Sequence, residues 1–275
     1  MSTITLTASM RSNLSSLKTI QKQMNTTQER LSTGKKVNSA IDNASSFYQA
    51  RSLTNRAADL DGLLDSMGQG VQTIQAANEG IEAVTSYVEQ LKSVAQSAFA
   101  AKAGDPDADI SSYKAQYAKI YGEISNLVAD ASYQGINLLN GGTLTVTFDE
   151  NRAHNFAVTG KNIMAAKADG GMGLEAAVTW GDTTAINATL TKVKEATDYL
   201  RNYATELGNN FSIIETRQNF TEALIDVLET GADNLVLADM NEESANYLAL
   251  QTRQQLAINS LALASQSAQS VLSLF

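Results

Sequence analysis

Cysteine is absent from this chain of 275 residues, and proline and histidine occur once each, as Pro106 and His154. Without Cys there is no disulfide framework, no Cys-based zinc or iron–sulfur site and no thiol nucleophile. A single His removes every zinc site that needs two imidazoles. Aromatic residues make up only 6% of the chain while 43% is hydrophobic, a balance that reads as folded and helical rather than disordered. The net charge of -9 argues against a nucleic-acid partner, because affinity for a phosphate backbone comes from clustered Lys and Arg. No segment approaches the roughly 18 apolar residues of a membrane span. Met1 to Leu14 also lacks an apolar run behind a basic start, so neither stable membrane insertion nor general secretory export is expected.

What the chain does contain is helical periodicity. Met10, Leu17, Met24 and Leu31 fall seven apart, with Ile20 three beyond Leu17. Leu60, Met67, Ile74, Ile81, Val88 and Ala95 repeat every seven residues, and Leu63, Gly70, Ala77, Val84, Leu91 and Ala98 follow three places later. A heptad stripe keeps one side of a helix against a partner, so one long helix is predicted from about Ala44 to Ala101. Pro106 is expected at the first position of the next helix, with Asp107 and Asp109 complementing its dipole. Tyr113, Tyr117, Ile120, Ile124, Leu127 and Ala131 carry that helix onward.

After Gly141-Gly142 the period changes to two. Thr143 to Phe148 and Phe156 to Val158, around a polar loop, predict a β-hairpin. Residues 160–184 are glycine-rich and aperiodic, which predicts loops with short strands. Helical spacing resumes from Leu190 to Leu228, with a break expected near Gly231. Tyr247, Leu250, Ala257, Leu261, Ala264, Ala268 and Val271 then restore the four–three rhythm, with Gln254 as its polar member. Leu256 and Leu263 make a second stripe one position earlier, and a helix that is apolar on more than one side needs more than one neighbour. The ends also differ in charge, +5 over residues 1–36 and -2 over residues 235–275, which favours their meeting.

Motifs for chemistry are weak. Gly170-Gly171-Met172-Gly173 lacks the Lys-Ser/Thr that would complete a phosphate-cradling loop, and reads as a flexible turn. His154 is expected in solvent in the hairpin loop. Asp239, Asn241, Glu242 and Glu243 fit an N-cap and a first turn rather than acid–base work. No nucleophile, base and orienting group can be assembled, so an enzyme, a cofactor and a bound metal are not expected. The sites of interest are surfaces.

Three stretches carry a family resemblance. Glu29-Arg30-Leu31-Ser32-Thr33-Gly34-Lys35-Lys36-Val37-Asn38-Ser39-Ala40-Ile41-Asp42-Asn43-Ala44, Tyr133-Gln134-Gly135-Ile136-Asn137-Leu138-Leu139 and Gln269-Ser270-Val271-Leu272-Ser273-Leu274-Phe275 resemble, in order, the start signature, the stretch before the hairpin and the ending of bacterial flagellins. The resemblance implies a mainly α fold: long helices in a coiled-coil-like bundle, with paired N- and C-terminal helices and a small β-hairpin insert. It implies an inner domain from residues 1–40 and 235–275 that lines a filament core, and an outer helical domain over 41–234. The variable region is then reduced to about 140–185, a short form of the family. The implied function is a self-assembling subunit of the flagellar filament, extracellular and exported by the flagellar type III system. Its implied partners are further copies of itself, hook-associated and cap proteins, and an export chaperone. Met10, Leu17, Ile20, Met24, Leu31, Leu250, Leu256, Leu261, Leu263 and Val271 are the expected polymer positions. Many flagellins are also sensed by an innate receptor through an Arg-containing stretch of the long helix. Here that stretch has Glu89, Gln90 and Lys92 but no Arg, which implies weak recognition. The alternatives are a hook–filament junction protein or, in another class, a helical ligand-binding or membrane-surface protein.

Overall fold

The computed structural model describes residues 8–272, with the side chains of 268, 271 and 272 outside the described set. Among the described residues there are five α-helices and one hairpin: α1 (Ala8–Thr33), α2 (Ala44–Gly104), α3 (Ser111–Asp130), β1 (Thr143–Thr147), β2 (Asn155–Thr159), α4 (Thr183–Val236) and α5 (Met240–Leu272). A single 3₁₀ turn, Lys167–Asp169, lies between β2 and α4. The described residues divide into a terminal unit, up to Arg56 and from Val227, and a central unit, Ala57–Asp226.

The heptads of α2 form the spine of the central unit. Met67, Ile74, Ile81, Val88 and Ala95 are buried, as are Ala77, Val84, Leu91 and Ala98. They share one core with Tyr117, Ile124 and Val128 of α3 and with Ile186, Val193, Leu200, Leu207 and Ile214 of α4. The lone glycine in the seam has a packing reason. A Cβ on Gly70 would lie 2.8 Å from Cγ2 of Val146, so Gly70 is where the hairpin settles onto α2. β1 and β2 pair antiparallel, with Leu144 opposite Val158 and Val146 opposite Phe156. Leu144, Val146 and Val158 face the core, as period-two alternation demands.

The segment between α3 and β1 holds this core together. Tyr133 and Ile136 exchange backbone hydrogen bonds of 3.0 and 2.9 Å across Gln134 and Gly135. Both central residues have positive φ, 48° and 82°, the geometry of a tight turn for which Gly suits the second place. Asn137 Nδ2 donates to the carbonyls of Val128 (2.7 Å) and Ala129 (3.2 Å) at the end of α3, while its Oδ1 accepts from the N–H groups of Leu139 (2.9 Å) and Asn140 (3.1 Å). It thus satisfies orphan carbonyls and drives Leu138 and Leu139 into the core. Asn137→Ala is expected to lower central-unit stability by about 2 kcal/mol, read from urea unfolding, because several partly buried groups lose partners at once.

Three sequence expectations change. α4 runs unbroken through Gly231, where a Cβ would sit in ordinary van der Waals contact, 3.5 Å from Leu53 Cδ1. Pro106 does not open α3. It follows Asp105, whose carbonyl accepts from Ala108 N–H (3.0 Å) and whose Oδ1 accepts from Asp107 N–H (3.0 Å), so the proline serves a turn. α3 starts at Ser111, whose N–H donates to Oδ1 of Asp109 at 2.9 Å. The glycine cluster is a close-packed turn and not a loose one. Gly170 and Gly173 take positive φ, a Cβ on Gly171 would come within 2.0 Å of the Ala165 carbonyl oxygen, and Met172 is buried between them.

Tyr117 and Tyr203 give the central unit an alkaline limit. Burial pushes each phenol up to about 12 from 10.0. Tyr203 donates to the Leu138 carbonyl (2.7 Å) and accepts from Lys161 N–H (3.2 Å). A phenol raised in the fold contributes its full stability below pH 10, and that contribution is lost as pH climbs toward 12, since the unfolded chain ionises first. Unfolding should therefore track tyrosinate absorbance from about pH 10 upward, and Tyr117→Phe should flatten the decline.

Candidate polymer surface

The terminal unit is built on α1 packed against α5. Met10 and Thr27 of α1 and Leu250 of α5 are buried, and Leu17, Ile20, Met24 and Leu31 are half-buried along the same stripe, as are Ala257 and Leu261 opposite. Two polar contacts set the register between the helices. Arg30 donates to Oε1 of Glu243 at 2.8 Å, with the Glu243 side chain only 10% exposed. Further along, Gln254 Nε2 donates to Oε1 of Gln21 at 2.6 Å. Slippage would leave the mostly buried Glu243 carboxylate without its partner, so the pair favours one alignment.

The start signature decodes into turn chemistry. Gly34, at φ 71°, donates to the Arg30 carbonyl (2.8 Å) and ends α1 in the left-handed conformation that Gly allows. The next residues are strapped to the end of α4: the N–H of Lys36 donates to the Val236 carbonyl at 2.7 Å, and Ala238 N–H to the Gly34 carbonyl at 2.9 Å. Asp42 gathers the following turn, and its carboxyl is held below the usual range by the backbone N–H groups of Ser39 and Asn38. Asn43 Oδ1 then caps α2 by accepting from Ser46 N–H at 3.1 Å. At the other end Asp239 Oδ1 caps α5, accepting from Asn241 (2.8 Å) and Glu242 (3.2 Å).

The expected polymer residues fall into two groups. Met10, Leu17, Ile20, Met24, Leu31, Leu250 and Leu261 lie along the seam between α1 and α5. Leu256 and Leu263 stand 61% and 65% exposed, together with Leu248 at 63%. At about 100° per residue, Leu248, Leu256 and Leu263 form a stripe on the side of α5 turned away from α1. Beyond Ala8 the outward side of α1 is polar and charged, with Arg11, Lys18, Lys22, Asn25 and Glu29 among its residues. The side chain of Val271 lies outside the described residues. On α2, Glu89, Gln90 and Lys92 are exposed on either side of fully buried Leu91.

Sequence reasoning placed Glu243 in a dipole-stabilising first turn and missed its ion pair. The signal was present in the heptad Glu243, Leu250, Ala257, Ala264, which puts that carboxylate on the buried stripe. His154 is exposed, with Nδ1 3.4 Å from an Asp149 carboxylate oxygen. Among the described residues no group of three or more His, Cys, Asp or Glu could hold a metal ion, and no helix is long and apolar enough to cross a membrane.

A helix pair that closes one seam and leaves a row of leucines uncovered has the kind of apolar surface that marks protein–protein contacts, the class of surface a structural subunit carries. The pattern of the bacterial flagellin N-terminal helical region matches residues 2–143, and that of the bacterial flagellin C-terminal helical region matches residues 190–275. The chain is 34% identical to a flagellin of Brucella melitensis across all of itself and 99% of that protein. It is 30% identical to flagellin FljK of Caulobacter vibrioides over 95% of this chain and 94% of the relative, and 28% identical to flagellin C of Rhizobium meliloti over 95% of each. The chain belongs to the bacterial flagellin family, and is a filament subunit. The two matched regions flank the hairpin and the loop after it, where the short variable segment lies.

Proposed function

We propose that the α1–α5 pair is the polymer-forming part of this flagellin and that neighbouring copies cover the α5 stripe of Leu248, Leu256 and Leu263. One observation supports this above all: three leucines seven or eight residues apart are each more than three-fifths exposed on the face opposite the closed seam. Burying such side chains is the main driving force available for association. The seam residues from Met10 to Leu31 and Leu250 to Leu261 act one step earlier, by joining the two ends into a single surface. Residues 1–40 with 235–275 then line the filament core, and residues 41–234 lie outside them.

The subunit works outside the cell and reaches the filament through the flagellar type III channel, escorted by a chaperone, and its filament is bounded by hook-associated and cap proteins. Thiols that could cross-link in transit are absent, which suits that route. Short filament seeds added to purified chain should elongate, as judged by negative-stain electron microscopy. A concentrated, seeded solution that stayed monomeric would overturn the reading, and liposome binding in place of elongation would favour a membrane-surface protein.

A further inference from the structure

The turn after α1 displays the most exposed large apolar side chain among the described residues, Ile41 at 95%. Its backbone is pinned. Asp42 Oδ2 accepts from Asn38 N–H (3.0 Å), Ser39 N–H (2.9 Å) and the Ser39 hydroxyl (3.1 Å), and Asp42 N–H donates to the Ser39 carbonyl (3.2 Å). Asp42 Oδ1 accepts no hydrogen bond from the described residues. A β-branched side chain on a fixed turn has little freedom left to lose on docking. The turn therefore presents a rigid apolar knob with an ionised carboxylate beside it.

The same unit contains an open groove of about 510 Å³ between residues 35–38, the start of α2 and the end of α4. Val37, Ala50 and Ala232 are its buried apolar lining. Lys35 and Arg51 line it too, and neither is paired with a carboxylate among the described residues; Asp233 is the one acidic group in the lining. The groove offers an apolar floor and a net charge of +1 from Lys35, Arg51 and Asp233, the complement of the Ile41–Asp42 knob. Ile41 does not occupy the groove of its own chain, since it is almost fully solvated.

We propose that Ile41 and Asp42 of one subunit dock in this groove on a second copy, with Ile41 on Val37, Ala50 and Ala232, and Asp42 Oδ1 accepting from Lys35 or Arg51. The inference rests on the filament reading, which makes other copies the neighbours of this surface. Knob and groove are different patches, so the contact is heterologous, the kind that builds an open array whenever its rotation does not close a ring. It is also separate from the α5 leucine stripe, and gives the terminal unit a second, directional contact.

The test uses the full chain with wild-type seeds. Ile41→Ala should raise the critical concentration for elongation roughly tenfold, and Ile41→Glu should raise it further. The melting of the monomer should be unchanged in both. Because the chain has no Cys, Ile41→Cys and Thr54→Cys chains can be mixed, polymerised and oxidised, and the dimer carrying one of each should form only in the mixture. If both Ile41 variants elongate like wild type, or if mixed filaments form without that dimer, the docking is wrong. If wild-type chain itself fails to elongate, the filament reading falls and takes this inference with it.

Discussion

Leu256→Asp is expected to stop growth from added seeds while the circular dichroism of the monomer stays that of the wild type. Leu256 is 61% exposed on the face of α5 away from α1, so the folded monomer has little contact to lose. In the polymer the balance reverses. A leucine moved fully out of water contributes about 1.5–3 kcal/mol, and its loss alone would raise the critical concentration roughly ten- to hundredfold. A carboxylate in its place adds the cost of desolvating a charge without a partner, which takes elongation below detection. Normal filaments from this variant, seen by electron microscopy, would remove Leu256 from the polymer surface.

The second large effect concerns the core. Trp180→Ala is expected to lower the melting temperature of the central unit by about 10 °C in scanning calorimetry. Trp180 is 2% exposed, stands edge-on to Tyr117 with centroids 5.4 Å apart, and donates from Nε1 to the Thr189 hydroxyl at 3.0 Å. Emptying such a site costs about 3–5 kcal/mol, and each kcal/mol is worth about 2–4 °C in a unit of this size. Trp180→Phe keeps most of the packing and loses the hydrogen bond, so a much smaller drop should follow. An unchanged melting point for Trp180→Ala would show that the loop before α4 does not anchor the core.

The contrast between α2 and that loop explains what could be read in advance. The long helix was legible from Leu60 to Ala98 because seven-residue spacing survives without knowledge of any partner: each apolar position has to face the same way. The hairpin was legible for the same reason at period two. The loop before α4 has no period, and its one tryptophan became informative only when Tyr117 and Thr189 were seen beside it. Gly231 misled because glycine weakens a helix on average, yet one glycine within a helix of 54 residues does not end it. Pro106 misled because the first position of a helix and the corner of a turn both accept a fixed φ.

The candidate surface divides along the same line. Leu256 and Leu263 stood out in the sequence as a second stripe on an already amphipathic helix, and that excess followed from the order of residues alone. Ile41 lay inside the start signature without any mark of exposure, since nothing local distinguishes an apolar residue in solvent from one in a core.

From the order of residues came the helices, the hairpin, the long seam of α2 and the surplus of apolar surface at the C-terminal end, all of them consequences of spacing along a single element. Only tertiary structure decided that Glu243 pairs with Arg30, that Gly70 makes room for Val146, and that Ile41 stands uncovered near an unfilled groove. Those facts depend on which residues meet across more than 70 positions of chain, or fail to meet at all. Periodicity states that a side chain needs a neighbour; the packed structure alone shows which neighbour it has and which it still lacks.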